Sequence, residues 1–449
     1  MKKKAPDSWC PLPWNHISIK GNGSFRICCH SHSSETRGVI DNDNIFYAKD
    51  AEWTKVRNSE KLKSVRLKML KGEWHDDCVR CKREFESGMF SRNLYERYEF
   101  PDLTYEKCLL KTREDGSIDE EDFPVQYLDV RFGNLCNLRC VMCSSTDSNQ
   151  WYDDYVKIFK SRYFTDTGIK VKLEYDSKKD RWFEPNGIYE WFNDAYFWKE
   201  LEDRSQKMKK IYIAGGEPFL IDIHYDFLKY CIENGFSKNI NLEYNTNLTN
   251  IPTKAFELWV KFNRVSVGVS VDGLREVNDY IRYPSNFSQI ERNLRKLDQF
   301  SDNFFIWITK SISVFNVYFI PEFIEWLYSS NFKFTENSKK NYGISTHPVT
   351  RPYYYNINIL SENFKIKIKE KFKSFKEKWK NMKDKRYDYA NKILDIYEKY
   401  MYKINFNEKD LYNHRKKFVE ISDLLDQTRK TEWRRIFPLL KEEFENEQY

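Results

Sequence analysis

Cys136, Cys140 and Cys143 fall within eight positions of one another in "NLCNLRCVMCSS" (134–145), spaced C-x3-C-x2-C. Thiolates bind soft metals, and three of them are one short of the four that close a structural zinc site or a complete iron–sulfur cluster. A site with three protein ligands keeps a position open for an exchangeable ligand, as catalytic metal sites do. On a helix these positions, i, i+4 and i+7, would share one face as an inert buried stripe. Gly133, Asn134 and Asn137 argue for a loop instead, directly after the strand-like "VQYLDVRF" (125–132). A loop at the C-terminal end of a strand lets the three thiols converge on one centre, where barrel-type folds keep their catalytic groups.

A second set of cysteines lies near the N-terminus. In "CPLPWNHISIKGNGSFRICC", Ile17 and Ile19 alternate, Gly21-Asn22-Gly23 follows, and Phe25 and Ile27 alternate again. That pattern predicts a β-hairpin with a glycine-rich turn. Cys10 precedes it, Cys28 closes it, and "DDCVRC" adds the C-x2-C pair Cys78 and Cys81. These four thiols suffice for a closed site, either an iron–sulfur cluster or a structural zinc. Cys28 and Cys29 are adjacent on a strand and point to opposite faces, so only one of them should ligate. Cys108 and Cys231 have no companions and read as packing residues.

Three regions can be drawn around these motifs. Residues 1–120 carry the N-terminal cysteines and end in the polar run "KTREDGSIDEED". Residues 121–350 alternate strand-like and helix-like stretches, with strands expected at 125–132, 209–216, 239–246, 264–272, 304–313 and 343–349. Helical patterns intervene, among them "IHYDFLKYCIENG", closed by Gly235, and "FSQIERNLRKLDQF", opened by a Ser285–Asn286 cap. The alternation predicts an α/β fold, a partial (β/α)6 barrel of parallel strands open on one side. Residues 161–205 show no clear periodicity. Residues 351–449 read as helices, with Ile368, Phe372, Phe375, Trp379 and Met382 forming one apolar stripe.

"CNLRCVMC" resembles the cysteine motif of the radical S-adenosylmethionine (radical SAM) enzymes, and its companions follow in family order. "AGGEP" (214–218) resembles the family's Gly-Gly-Glu-Pro motif. "YNTNLT" (244–249) ends a third strand, and "SVDG" (270–273) ends a fourth, twelve residues before Arg282. The resemblance implies a TIM-like barrel and a [4Fe–4S] cluster on Cys136, Cys140 and Cys143, with S-adenosylmethionine (SAM) chelating the open iron. One electron then cleaves SAM to a 5′-deoxyadenosyl radical, which abstracts a hydrogen atom from substrate. It further implies that Gly215, Gly216, Glu217 and Pro218 meet the methionine ammonium, and that Ser270 and Arg282 hold the methionine carboxylate. Asn245, Asn247 and Asp272 would serve the ribose, and Met142 the adenine. The N-terminal set resembles the twitch and SPASM modules that carry an auxiliary [4Fe–4S] cluster. In those modules a hairpin glycine precedes a ligand cysteine by five residues, as Gly23 precedes Cys28, so Cys10, Cys28, Cys78 and Cys81 are the expected ligands. Such modules usually follow the barrel, whereas here the cysteines come first.

The chain has 449 residues and a net charge of +7, and 17% of it is aromatic, enough for a large core in two or three units. No apolar run approaches the roughly 20 residues that span a bilayer, and no apolar stretch follows the basic start "MKKKAPDSWC". A cytoplasmic setting with reduced thiols is expected, in which clustered cysteines bind metal. Residues 361–386 hold eleven basic against four acidic residues, a surplus equal to that of the whole chain. Such a segment reads as a solvated helix face, or as a docking surface for an acidic leader peptide or an RNA. The resemblance favours a peptide or protein substrate and an electron donor such as flavodoxin or ferredoxin. Small-molecule substrates, aminoglycoside- or nucleotide-like ones included, are the alternative. A different class altogether would be a non-catalytic zinc protein that binds nucleic acid through the basic segment.

Overall fold

The computed structural model describes residues 4–41, 45–86, 91–338 and 341–445. Its centre is an eight-stranded sheet made of β1 (His16–Ile19), β2 (Phe25–Arg26), β3 (Tyr127–Phe132), β8 (Lys210–Gly215), β9 (Asn241–Thr246), β10 (Arg264–Ser270), β11 (Phe304–Ile312) and β12 (Ile344–Pro348). Two small ribbons, β4 (Tyr163–Asp166) with β5 (Ile169–Lys172) and β6 (Glu174–Asp176) with β7 (Arg181–Phe183), fill part of the segment that lacks periodicity. The sheet order is β12-β11-β10-β9-β8-β3-β1-β2. Every neighbour pair from β12 to β1 is parallel, and only β2 runs antiparallel, at the edge.

All six strands expected between 121 and 350 are present. They carry the two-residue alternation of a sheet whose faces meet different surroundings. On β10, Val265, Val267 and Val269 are buried, while Ser266, Gly268 and Ser270 occupy the other face. Helices cover the apolar face. The helix Ile223–Glu233 buries Tyr225, Phe227, Leu228 and Cys231. The helix Phe287–Asp298 starts at Asn286, whose side chain accepts from Gln289 N, as expected of a cap. The polar face lines the barrel interior, where the register sets Asn245 beside Gly268 beside Trp307.

The N-terminal hairpin belongs to this same sheet. β1 pairs in parallel with β3, with Ser18 opposite Asp129 and Ile19 opposite Val130. The hairpin turn uses Gly23 at φ +81°. An ideal Cβ there would lie 2.8 Å from the Trp191 ring, because the inserted segment packs onto the turn. Trp191 Nε1 also donates to Gly21 O at 2.8 Å.

The C-terminal helices Glu362–Lys380, Lys385–Tyr400 and Glu408–Arg429 complete the molecule. Ile368, Phe372 and Trp379 are buried as the stripe requires, and Phe375 packs against the core. Met382 departs from the expected stripe: the helix ends at Lys380 and Met382 is exposed. Half of the eight lysines of that helix pair with acids of the same molecule, Lys367 with Glu442 among them. Lys371 reaches Glu322, Lys376 reaches Asp395 and Glu398, and Lys378 reaches Glu325.

Candidate functional site

β3 ends at Phe132, and residues 134–143 follow as an irregular loop. The loop is held by its own amides and by a neighbouring strand connection. Arg139 N donates to Tyr283 O at 2.7 Å and Val141 N to Ile281 O at 2.8 Å. Trp151 Nε1 donates to Cys140 O at 2.8 Å. Cys136 and Cys140 are buried, and Met142 and Cys143 pack beside them. Cys140 is held below its ordinary pKa, first by a hydrogen bond from Cys143 and then, against the effect of burial, by the Arg282 cation. Burial pushes the Cys136 thiol up to about 12. Ligand thiols in this state release protons when metal binds.

Gly215, Gly216, Glu217 and Pro218 close β8 directly against this loop. An ideal Cβ on Gly216 would sit 2.3 Å from Leu135 O, so only glycine lets the two strand ends meet. Glu217 N donates to Leu135 O at 2.8 Å. The Glu217 carboxylate is buried and faces β9. It accepts from Thr246 Oγ1 and Asn247 N, each at 2.7 Å, and from Phe219 N at 3.2 Å. Burial outweighs these bonds and raises its pKa to about 7.

Asn247 Nδ2 lies 3.9 Å from Cys136 Sγ and 2.9 Å from Asn137 Oδ1, at the mouth of the barrel. Asn245 sits deeper and donates to Tyr212 OH at 2.7 Å, leaving its buried Oδ1 without a hydrogen-bond partner among the described residues. Ser270 ends β10. Arg282 Nη1 lies 4.0 Å from Cys140 Sγ, and its Nε pairs with Asp272 Oδ2 at 2.7 Å.

Asp272, expected at a ribose, is held by protein groups. It is fully buried, and its other carboxylate oxygen accepts from Ser311 N at 2.6 Å. Its carbonyl accepts from Lys310 Nζ and from Asn316 Nδ2, the latter at 2.8 Å. Asp272 thereby orients Arg282. Lys310 escaped sequence reasoning because it stands at an apolar-face position of β11; burial pushes its ammonium down to about 7.

At the N-terminus, Cys10, Cys28, Cys78 and Cys81 line one cavity, walled by Leu12, Ile27, Met69 and Trp74. Burial raises the pKa of Cys10 and Cys78 well above the ordinary thiol value and that of Cys81 to about 12, and neighbouring cysteines add to each shift. Cys29 faces the other way, against Arg92 and towards Asp129. His30 shares the cavity, with Nδ1 3.8 Å from Cys81 Sγ and 3.8 Å from a Glu84 oxygen. No spacing rule marks His30; only the fold brings it there. Cys108 and Cys231 are fully buried core residues, as expected.

A family model, the Radical SAM superfamily, matches residues 130–309, from β3 through β11. Residues 130–309 are thus similar to the radical SAM superfamily, over less than half of the chain. A curated relative, the cysteine-type anaerobic sulfatase-maturating enzyme of Clostridium novyi (strain NT), is 35% identical over 97 residues. That match covers 19% of this chain and a quarter of the relative's length. Among solved structures, native anSMEcpe with bound AdoMet and Cp18Cys peptide superposes with a TM-score of 0.35 at 16% identity, over 57% of this chain and 61% of the other. Streptococcus suis SuiB bound to precursor peptide SuiA gives 0.33 at 13% identity, over 81% and 71%. No helix among the described residues is long and apolar enough to cross a membrane.

The donor set fits the family's cluster. Three thiols emerge from one loop beside a cationic guanidinium, with a glycine contact that holds the strand ends together.

Proposed function

We propose that this chain reductively cleaves SAM and uses the resulting radical to take a hydrogen atom from a peptide or protein substrate. The observation that carries the reading is the convergence of Cys136, Cys140 and Cys143 with Arg282 and the Gly216–Glu217 turn at the mouth of the barrel. A [4Fe–4S] cluster on the three thiols would supply one electron to the bound sulfonium, releasing methionine and a 5′-deoxyadenosyl radical.

The chain's own residues bind and orient. Arg282, fixed by Asp272, presents its remaining N–H groups next to Cys140 as a fork for the methionine carboxylate. Glu217 ties the ends of β8 and β9 together and brings a titratable charge near the amino group. Ser270, at the end of β10, would join Arg282 on the carboxylate, Asn245 and Asn247 would serve the ribose hydroxyls, and Met142, beside the thiols, the adenine.

Cys10, Cys28, Cys78 and Cys81 would hold a second [4Fe–4S] cluster, supported by the one cavity they share. Its place at the edge of the same sheet suits an electron relay for the substrate. A zinc ion there is the competing occupant, and His30 and Glu84 near Cys81 give it extra donors. A peptide or protein substrate is supported by the relative named for sulfatase maturation.

The test is anaerobic purification, iron analysis and incubation with SAM and reductant. Brown protein releasing 5′-deoxyadenosine is expected. Colourless, zinc-loaded protein without SAM cleavage overturns the reading.

A further inference from the structure

Three side chains on the interior face of the sheet carry charges that do not cancel. Asp129 and Arg131 share one face of β3, while Phe132, on the other, packs against Trp191, Phe192, Trp198 and His224 of the covering segments. Asp129 and Arg131 therefore face the barrel interior. The hairpin brings Arg26 to the same face. Its Nε donates to Ser18 Oγ at 3.0 Å, and Ser18 stands opposite both Arg26 and Asp129 in the sheet. Asp129 Oδ1 accepts from Arg131 Nη1 at 3.0 Å and lies 3.9 Å from Arg26 Nη2.

One carboxylate thus serves two guanidiniums, which leaves one positive charge over. The neighbouring cations have acids of their own: Arg92 pairs with Glu96 at 3.2 Å and Lys210 with Glu243 at 3.0 Å. Arg26 Nη2 and Asp129 Oδ2 are both buried without a hydrogen-bond partner among the described residues. Asp129 has no exposed surface, however, whereas 27% of the Arg131 side chain is open. Arg131 is the group that a ligand can reach, and Asp129 and Arg26 stand behind it. A surplus cation in so sheltered a place favours an anion. The Arg131 guanidinium lies 5.8 Å from the centre of the Tyr212 ring, whose hydroxyl accepts from Asn245. Arg26 precedes Cys28 by two residues and Arg131 precedes Cys136 by five. The surplus charge therefore sits on the strands that lead into both sets of thiols.

We propose that Arg131, held by Asp129 and backed by Arg26, binds a carboxylate of the substrate inside the barrel. The proposal rests on the reading that the chain modifies a peptide or protein, and it narrows the class: the substrate presents a free carboxylate, from an acidic side chain or from its own C-terminus. A guanidinium fixed by Asp129 through one nitrogen keeps its other N–H groups as a fork for that anion.

The experiment uses full-length holoprotein, reconstituted anaerobically with SAM, and fluorine NMR titration of three trifluoroacetyl-capped heptapeptides of glycine and serine. The first has a central glutamate and an amidated end, the second a central glutamine and an amidated end, and the third no acidic side chain but a free C-terminal carboxylate. Wild type should bind the first or the third about tenfold more tightly than the second. Preference for the first assigns the site to an acidic side chain, and preference for the third to a chain terminus. Arg131→Gln should abolish the preference, and Arg131→Lys, which keeps the charge without the fork, should keep only part of it. Equal binding of all three peptides by wild type overturns the proposal, as does an undiminished preference in Arg131→Gln. If Arg131→Gln does not fold, Arg131→Lys decides: a preference equal to wild type overturns it. Release of 5′-deoxyadenosine by the same preparation is measured separately. Its absence beside an intact carboxylate preference fails the proposed function, whereas SAM cleavage without any preference fails the carboxylate site alone.

Discussion

Glu217 carries a conflict between burial and charge that can be measured. Its carboxyl is raised from an ordinary 4.5 to about 7 by burial, against three hydrogen bonds. A carboxyl raised in the folded state binds more protons folded than unfolded between those values, so folding weakens as pH rises through that window. The shift corresponds to about 3 kcal/mol. Metal-free wild type should therefore lose about that much stability relative to Glu217→Ala between pH 4.5 and pH above 7; denaturant unfolding at a series of pH values checks it, and parallel curves would refute it. Replacing Cys136, Cys140 and Cys143 together with Ala should abolish SAM cleavage while leaving the N-terminal site loaded, as read by iron content and 5′-deoxyadenosine release. Spacing alone singles out these three residues in the sequence. The part played by Asp272 was not, because its partners Arg282, Ser311, Lys310 and Asn316 come from three separate stretches of chain.

Among the elements, the strand-end contact between the cysteine loop and the β8 turn is the tightest constraint. A methyl group at Gly216 would collide with Leu135 O at 2.3 Å, and backbone cannot swing aside as a side chain can. Gly216→Ala should cost about 1–3 kcal/mol and weaken SAM binding, measured by thermal unfolding and by equilibrium binding. Unaltered affinity would mean that the loop relaxes without consequence. The six barrel strands were readable because alternating apolar residues record a sheet with one oily face. The ribbons at 163–183 were not: β6 and β7 are only three residues each and expose both faces, so they leave no periodic trace.

At the scale of the whole molecule, three chain segments converge on one sheet. The hairpin extends it through β1, the insertion covers the hairpin turn, and the helix ending in Arg429 backs the cysteine loop. Four of the eight lysines of the helix Glu362–Lys380 pair with acids of their own fold. Changing Cys10, Cys28, Cys78 and Cys81 to Ala should remove about half of the iron, since each cluster of this type holds about four atoms. SAM cleavage should persist while modification of substrate stops. Iron analysis and product mass spectrometry check this, and full iron retention would remove the second site from the account.

The sequence by itself determined the parallel strands and the cysteine motif that the radical SAM match contains, because period-two burial and motif spacing are local in the chain. Only the tertiary structure decided that the hairpin joins the barrel sheet, that Asp272 pairs with Arg282, and that Arg429 pairs with Asp154. Those pairings depend on which buried polar groups find each other across hundreds of residues. Local pattern carries no record of such distant partners.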